Sequence, residues 1–407
     1  MNVLMISPGY PGQMPYFTRG LAAVGARTFG VGDQPDSALA HDVRRALVAY
    51  LQVPDLWDEQ AVVRRVLDEA RSHELRFDRV ECLWEPGMIL AARLRQALDA
   101  RGMRVEQTVP FRDKEVMKQL LDRAGIRTPW HARCTTGNEV RAAVARVGYP
   151  AIVKPIAGAG ATDTHRVDDD EQLALVIASV GHVPEVSVEE FIAGDEYTHD
   201  TICAGGRMLY ENVARYTTKP IEERKHQWVS PGSVCLREID AAELAGGRQM
   251  GRRVLAALGF RTGFTHMEWF RKPDGEIVFG EIAARPAGAH LIEVMNFASD
   301  VDLFRGWAEA VVHGRLSQPI ERRYNAALIG KRARGSGRIV GSEGLDRLRH
   351  ELGSALCKVQ MNPVGTPAGD WKRGAPADGF AIVRHPDLPT TLELAARVAR
   401  EWQIQAG

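Results

Sequence analysis

The sequence of 407 residues predicts a protein of mixed α/β and α+β class, in which a parallel sheet comes first and a strand-rich region comes last. Over residues 1–108, short apolar strands alternate with helical patterns, which is typical of a doubly wound parallel sheet. Over residues 151–281, strands and hairpins mix with helices, and after residue 326 short strands precede a final helix at 392–402. The predicted domains are therefore 1–108, 109–325 and 326–407.

The predicted parallel sheet begins with a buried strand at 3–7, followed by a glycine-containing loop at 8–12 and an apolar helix. Apolar residues then recur at strand or helix spacing, and the expected elements are strands at 27–31 and 79–84 and helices at 62–70 and 88–98. The loop lacks the G-x-G-x-x-G pattern of dinucleotide-binding folds, so no nicotinamide site is predicted.

The composition excludes several classes of protein. Lysine plus arginine and aspartate plus glutamate both number 52, so no charge excess favours nucleic acid or an acidic membrane. The five cysteines are scattered without C-x-x-C spacing, which argues against a disulfide framework and a zinc site. The sequence shows neither a signal peptide nor a membrane span. We therefore expect a cytoplasmic protein without nucleic-acid or membrane partners.

A helix is predicted at 113–124, with Asp113 as its N-cap and Gly125 as its stop. Lys114 lies in the first turn, where the helix dipole disfavours a cation, and an anionic ligand would remove that penalty. A solvated lysine is the alternative. The tetrapeptide that includes Lys118 resembles a biotin-attachment motif, but it lies in an amphipathic helix, so we interpret Lys118 as solvated.

The segment that follows Lys154 contains residues that suit a phosphate site. Lys154 ends a β-branched strand at 151–155, and the next loop is built from small residues, among them Gly158, Gly160, Ala161 and Thr162. Such a loop lets backbone N–H groups surround phosphate oxygens, and a nearby lysine adds charge. A strand-end lysine before an ordinary hairpin turn is the alternative.

A second candidate segment, 188–197, places acidic residues around a short apolar strand that ends at Gly194. An adenine ring needs a flat apolar slot with backbone groups at its edge, and a ribose needs an acceptor for its hydroxyls. An amphipathic edge strand with solvated carboxylates has the same composition, so the residues alone leave both readings open.

The pair Glu268 and Glu281 is the strongest physical signal. Residues 266–281 read as a β-hairpin with Asp274-Gly275 as a two-residue turn, which places Glu268 directly opposite Glu281. Facing carboxylates repel by about 0.2–1 kcal/mol, and a magnesium ion would reverse that sign. Phe270 and Phe279, expected on the same face, indicate burial, so we predict a metal site at Glu268 and Glu281.

Taken together, these residues resemble the ATP-grasp superfamily in order and spacing, over residues 109–288. The resemblance implies a pre-ATP-grasp domain, then a two-lobed ATP-grasp domain, then the small strand-rich C-terminal domain of carboxylate–amine ligases. The family commonly has asparagine two residues after the second glutamate, whereas this chain has Ala283. The run from Glu281 to Arg285 looks like the branch that contains bacterial L-amino-acid (dipeptide) ligases.

The resemblance implies ATP and Mg²⁺ as cofactors and a role for each candidate residue. The implied phosphate ligands are Lys114, Lys154 and the loop Gly158, Gly160, Ala161 and Thr162. The implied adenine and ribose contacts are Glu189, the backbone of Glu190 and Ile192, Phe191 within the same strand, and Glu196. The implied magnesium ligands are Glu268 and Glu281. Arg285 is expected to face the transferred phosphate, and Arg285 and Lys154 are the catalytic residues.

The implied reaction joins a small-molecule carboxylate to an amine through an acyl phosphate, with release of ADP and phosphate. Two alternatives remain: a carboxylase of the biotin-carboxylase or purine-biosynthesis kind, and an inactive nucleotide-binding regulator, which Ala283 alone favours. The segment 216–232, with His226 and Trp228, is either a lid or a solvated loop. His290 is either an acceptor-site residue or structural. A homodimer is left open.

Overall fold

The computed structural model describes residues 1–157, 163–218, 227, 230–370 and 377–407. The N-terminal part is a parallel sheet, as the sequence predicts, and its four strands lie in the order β3-β2-β1-β4. Its strands are β1 (Asn2–Ile6), β2 (Arg27–Gly32), β3 (Ala49–Gln52) and β4 (Arg79–Glu81), and its helices are α1 (Met14–Ala23), α2 (His41–Ala46), α3 (Glu59–Ser72), α4 (Met88–Ala97) and α5 (Val105–Thr108).

Helix α3 illustrates how the sequence forms this layer. Its N-cap, Asp58, accepts a hydrogen bond from the Ala61 N–H at 3.0 Å, which satisfies one of the free donors of the first turn. Its buried residues Val62, Val66 and Ala70 recur every four positions, so they form one stripe against the sheet.

A second, antiparallel sheet follows, of order β5-β8-β6-β7. Its strands are β5 (His131–Cys134), β6 (Ala151–Pro155), β7 (His165–Val167) and β8 (Val186–Glu190), and the helices beside it are α6 (Lys114–Arg123), α7 (Gly137–Val147) and α8 (Asp170–Ser179). The predicted start of α6 is confirmed, because the Asp113 carboxylate accepts the Glu115 and Val116 N–H groups at 2.9 and 3.0 Å.

The third and largest sheet has eight strands in the order β13-β12-β9-β10-β11-β14-β18-β17. The remaining strands are β9 (Asp195–Ala204), β10 (Arg207–Tyr216), β11 (Gly232–Cys235), β12 (Gly263–Arg271), β13 (Ile277–Ala283), β14 (Asn325–Lys331), β15 (Arg334–Gly335), β16 (Ile339–Glu343), β17 (Leu356–Met361), β18 (Gly379–His385) and β19 (Gln403–Ala406). The remaining described helices are α9 (Ala242–Ala257), α10 (Leu291–Ser299), α11 (Leu303–His313), α12 (Leu345–Leu352) and α13 (Leu388–Glu401).

The C-terminal region is shared between two sheets. Strands β14, β17 and β18 extend the eight-stranded sheet, whereas β15, β16 and β19 form a small sheet of their own. The predicted boundary at 326 therefore falls inside β14, and the division at 108 and 325 stays a proposal. Among the described residues, no helix combines the length and the apolar composition that a membrane crossing requires.

The β12–β13 hairpin confirms that Glu268 lies opposite Glu281. Its turn differs from the prediction. The Gly275 N–H donates to the Lys272 carbonyl at 2.9 Å, and the Lys272 N–H donates to the Glu276 carbonyl at 2.9 Å. The loop is therefore a three-residue turn beginning at Pro273, with Gly275 (φ 89°) in the left-handed position that follows a type I turn.

A β-bulge compensates for the longer turn. Trp269 pairs with Phe279, whereas Glu268 pairs with Glu281, so Gly280 is an extra residue on β13. A Cβ atom at Gly280 would lie 2.9 Å from the Glu268 carbonyl oxygen, which accounts for a glycine at this position. The turn and the bulge each shift the register by one residue, and the two shifts cancel.

The bulge also separates the two phenylalanines that were expected on one face. Phe279 is fully buried and packs with Trp269 in the core, on the face away from Glu268. Phe270 is half-buried on the Glu268 face. The expectation that Phe270 and Phe279 share the glutamate face is therefore wrong, although the carboxylates are indeed buried in part.

Candidate functional site

The two facing carboxylates are half-buried on the third sheet, beside Lys114 of α6 and Lys154 of the second sheet. Glu268 Oε1 accepts the Tyr216 hydroxyl at 3.0 Å and lies 3.6 Å from His266 Nε2. Glu281 Oε1 lies 3.3 Å from Lys114 Nζ. Burial alone would raise the pKa of Glu268, but His266, Tyr216 and Lys154 outweigh burial and lower it to about 2. Glu268 is therefore ionised at neutral pH.

Glu268 and Glu281 fit a magnesium ion. The two carboxylates lie opposite one another on the paired strands β12 and β13, so a cation between them would relieve their mutual repulsion. Within the described part of the chain, no group of three or more His, Cys, Asp or Glu side chains is arranged to hold a metal by itself. A pair of carboxylates suits magnesium, which usually takes one or two carboxylates and completes its shell with phosphate oxygens and water.

His266 connects this pair to a deeper carboxylate. Its Nδ1 lies 2.6 Å from Oδ1 of Asp200, a fully buried residue that also accepts Thr198 Oγ1 at 2.7 Å and Asn212 Nδ2 at 3.1 Å. Burial opposes a charged imidazole, but Asp200 outweighs it and raises the pKa of His266 to about 9. Ala283 lies opposite His266.

The predicted phosphate-binding lysines lie beside the same two carboxylates. Lys154, at the end of β6, lies 3.0 Å from Glu189 Oε2, and Lys114, at the start of α6, reaches Glu281. Burial opposes the charge of Lys154, but Glu189, Glu281 and Glu268 together raise its pKa. The loop with Gly158, Gly160, Ala161 and Thr162 lies outside the described residues.

Lys118 is not the solvated lysine that the sequence predicts. It is fully buried and donates to Glu189 Oε1, so Glu189 joins Lys118 and Lys154. Burial alone would raise the pKa of Glu189, but the two ammonium groups hold it near 2. The sequence spacing indicates this burial, since Lys118 follows Lys114 by four positions and shares the helix face of Met117 and Leu121.

The strand predicted to bind adenine, β8, contains Glu189, which bonds to Lys118 and Lys154. The Glu190 N–H already donates to the Trp130 carbonyl at 2.8 Å, and the Glu190 carboxylate accepts two hydrogen bonds of 3.0 Å from Arg127. The N–H of Glu190 is therefore engaged within the fold, which limits the predicted backbone contact with adenine to other groups of the strand.

A cleft of about 780 Å³ opens beyond the end of β8. Phe191 lines it, with the Arg166 guanidinium 4.3 Å from the centre of its ring, and Arg271 lines it from β12. Ile192 is buried, and Glu196 lies on β9 opposite Phe270. The cleft thus combines the flat apolar surface and the cationic rim that a nucleotide needs.

Arg285 is held by a residue from the N-terminal sheet. Its Nε and Nη2 donate to Glu85 Oε2 at 2.7 and 2.6 Å, and its Nη1 donates to the Pro286 carbonyl at 2.8 Å. Glu85 is buried and also accepts Arg112, whose Nη2 donates to the Ala157 carbonyl at 3.1 Å. Glu85 therefore connects Arg285 to the beginning of the small-residue loop.

The sequence analysis missed Glu85, Arg112, Tyr216 and Asp200. Glu85 had a recognisable signal, because an acidic residue just after a buried parallel strand lies at the edge where α/β sheets bind ligands. His290, for which an acceptor-site role and a structural role were both left open, stacks on Phe380 with ring centres 3.9 Å apart, and its Nδ1 lies 3.6 Å from Glu293. His226 and Trp228 lie outside the described residues.

Residues 119–292 match the family model described as an ATP-grasp domain. The chain contains an ATP-grasp domain. Its expected ligands, ATP with Mg²⁺, are those that this family uses. The fold is similar to that of an L-amino acid ligase from Bacillus licheniformis, with a TM-score of 0.80 and 19% identity, covering 100% of this chain and 98% of the other.

Two characterised relatives are similar in sequence. An L-arginine-specific L-amino acid ligase of Bacillus subtilis is 26% identical over 237 residues, 56% of this chain and 56% of the relative. A formate-dependent phosphoribosylglycinamide formyltransferase of Nitratidesulfovibrio vulgaris is 27% identical over 362 residues, 85% of this chain and 84% of the relative. The chain thus spans little more than half the length of the Bacillus subtilis relative.

Proposed function

We propose that the protein is an ATP-dependent carboxylate–amine ligase that forms an acyl phosphate and couples it to an amine, with release of ADP and phosphate. The observation that carries the proposal is the pair of opposed carboxylates, Glu268 and Glu281, with the ammonium groups of Lys114 and Lys154 beside them. Opposed carboxylates suit magnesium, and the cations suit the phosphates that magnesium accompanies.

Each residue has a stated role in the proposed reaction. Glu268 and Glu281 hold magnesium, which, when bound, neutralises charge on the transferring phosphoryl group. Lys114 and Lys154 supply positive charge fixed by burial, where it acts more strongly than in water. Arg285 keeps N–H groups beyond those bonded to Glu85 and Pro286, and these are proposed to donate to the acyl phosphate.

The strand β8 is proposed to carry the nucleoside. Glu189 orders Lys118 and Lys154 at the inner end of the strand, while Phe191 and Ile192 give the apolar surface for adenine. Glu196 is proposed to accept the ribose hydroxyls from β9. Gly158, Gly160, Ala161 and Thr162 are proposed to donate backbone N–H groups to the phosphates.

The chemistry requires no protein nucleophile. A carboxylate resists attack because its charge repels nucleophiles and oxide is a poor leaving group. Transfer of the γ-phosphoryl group to the carboxylate oxygen makes a mixed anhydride, which the lone pair of the amine attacks with phosphate as the leaving group. The protein positions the groups and stabilises the charge that spreads over the phosphoryl oxygens.

An amino acid is the proposed substrate. The L-amino acid ligases of Bacillus subtilis and Bacillus licheniformis support it by likeness of sequence and fold. A purine-biosynthetic or carboxylase reaction is the second candidate, favoured by the Nitratidesulfovibrio vulgaris relative, which aligns over more of the chain. A homodimer is proposed from the likeness to the biotin carboxylase domain dimer of a Hydrogenobacter thermophilus carboxylase, and analytical ultracentrifugation tests it.

A screen of ADP release tests the proposed function. The protein is incubated with Mg-ATP and single amino acids, pairs of amino acids, formate or bicarbonate. ADP and phosphate formed only with amino acids support the proposal. ADP formed with bicarbonate or formate alone supports the second candidate, and AMP with pyrophosphate contradicts both. Absence of turnover with a retained heat of ATP binding indicates a regulator.

A further inference from the structure

We propose that three aromatic residues, Tyr10, Trp57 and Trp84, form the subsite for a large apolar side chain on the carboxylate substrate. The proposal rests on the proposed ligase function and deepens it. Each of the three residues follows the carboxyl end of a parallel strand of the N-terminal sheet: Tyr10 follows β1, Trp57 follows β3 and Trp84 follows β4. In α/β sheets that edge is where ligands bind.

The strand order places part of this cluster at a topological switch point. The sheet runs β3-β2-β1-β4, so the chain leaves β1 toward β2 on one side and returns to β4 on the other. The crevice between β1 and β4 is therefore the expected ligand position, and Tyr10 and Trp84 border it. Their ring centres lie 6.1 Å apart, with an interplanar angle of 75°.

The aromatic side chains are in contact with one another yet remain open to solvent. Trp57 and Trp84 have ring centres 5.4 Å apart, while 61% of Trp57 and 53% of Tyr10 is exposed. Within the described residues, only one other large aromatic side chain, Tyr149, is similarly exposed. Single exposed apolar residues are common, but a contiguous exposed patch beside a site marks a binding surface.

The covalent neighbour of Trp84 links the cluster to the reaction centre. Glu85 follows Trp84 directly and bonds to Arg285 at 2.6 Å, so the aromatic surface begins about 3.8 Å along the chain from the residue that holds the proposed acyl-phosphate ligand. A carboxylate at Arg285 therefore carries its side chain toward the rings.

The chemistry of the cluster favours a large apolar side chain. Its rings present a broad apolar surface, and the buried carboxylate beside Trp84, that of Glu85, is already neutralised by Arg112 and Arg285. We thus infer a preference for a phenylalanine-like or leucine-like substrate, which differs from the arginine specificity of the Bacillus subtilis relative.

Substitutions at the cluster test the preference. L-Phenylalanine, L-leucine, L-alanine and L-arginine are compared as carboxylate substrates by ADP release, in the wild type, in Trp57→Ala and Tyr10→Ala, and in Tyr149→Ala as the matched control. The wild type and the control should prefer phenylalanine to alanine by about tenfold or more in kcat/KM, since burying a large apolar side chain has an effect of that order.

Trp57→Ala and Tyr10→Ala should raise KM for phenylalanine and leave alanine unchanged, so the preference falls below about threefold. A preference that survives both substitutions, or a wild type that prefers alanine or arginine, overturns the subsite.

Calorimetry separates failure of the subsite from failure of the proposed function. Binding of phenylalanine and alanine is measured in the presence of Mg-ADP, which needs no turnover. If no amino acid releases ADP, the ligase proposal fails, yet a heat of phenylalanine binding that Trp57→Ala removes still supports the subsite. If the wild type binds none of these amino acids, the subsite is wrong.

Discussion

Two buried groups of charges lie on opposite faces of the eight-stranded sheet, and consecutive residues of β9 support them. His199 points to one face, where its Nε2 lies 2.9 Å from Glu211. Asp200 points to the other face, where it bonds to His266 beside Glu268. Neighbouring residues of a strand alternate between faces, so a single strand supplies both groups.

The two groups differ in how completely their carboxylates are bonded. Glu211 lies 2.9 Å from His199 Nε2 and accepts Arg248 at 2.8 Å and Arg252 at 3.1 Å, so partners within the fold satisfy its oxygens. By contrast, the charged neighbours of Glu268 and Glu281 lie 3.6 and 3.3 Å away, longer than a good hydrogen bond. A saturated carboxylate stabilises the fold, whereas an incompletely bonded pair can still bind a ligand.

The largest expected effect is the loss of turnover in Glu281→Gln. The substitution removes a charge without changing the volume, so the fold is retained while the magnesium pair is broken. ATP consumption dependent on magnesium should fall below detection, as measured by ADP release, and circular dichroism should match the wild type. Turnover like that of the wild type would contradict the metal assignment.

The matched substitution on the other face, Glu211→Gln, should act on stability. It leaves the buried His199 without its carboxylate partner, while Arg248 keeps Asp240, and breaking such a buried pair costs about 3 kcal/mol. Urea unfolding measures the change, and the folded fraction should keep wild-type turnover per molecule. A variant of normal stability but impaired turnover would show that Glu211 belongs to the reaction rather than to the fold.

The hairpin shows how far sequence reasoning reaches. Facing glutamates were predicted because Asp274-Gly275 favours a two-residue turn, and the facing pair is confirmed. The turn is one residue longer, and the bulge at Gly280 restores the pairing. Periodicity identifies strands, but a bulge depends on close backbone contacts such as the one between Gly280 and the Glu268 carbonyl, which sequence spacing does not reveal.

Contacts between residues that are far apart along the chain could not be predicted from the sequence. Glu85 and Arg285 are 200 positions apart, and Lys118 and Glu189 are 71 apart. Helical spacing places Lys118 beside Met117. Whether that face of α6 meets solvent or the acidic strand β8 depends on how the two elements pack, which the spacing does not give. Local motifs therefore predicted the lysines and glutamates that approach the phosphates, while the residues that orient them required the structure.

A smaller expected effect concerns how the free energy of unfolding falls at acidic pH. Burial would raise the pKa of Glu211, but His199 and Arg248 hold it well below its usual range. The unfolded carboxyl binds protons near pH 4.3, whereas the folded one does not, so stability is full above that pH and falls as the pH drops. Glu211→Gln should flatten this fall between about pH 5 and pH 2.5.

Urea midpoints at several pH values measure the slope, with Glu238→Gln, at an exposed glutamate, as the control. If the wild type and Glu211→Gln lose stability with the same slope, the Glu211 group is not the acid-sensitive element of the fold, and the comparison between the two faces loses its electrostatic basis.

The smallest expected effect comes from restoring a family feature at Ala283. This buried residue lies opposite His266 and offers no oxygen, so we propose that water takes the ligand position that an asparagine fills in other members. Magnesium keeps water readily, so Ala283→Asn should lower the magnesium concentration for half-maximal turnover only a few-fold. Ala284→Asn, one residue beyond the end of β13 and half-buried, is the control. A complete loss of activity in Ala283→Asn with an unchanged melting temperature would mean that His266 itself occupies the position, because an added amide would then displace the imidazole.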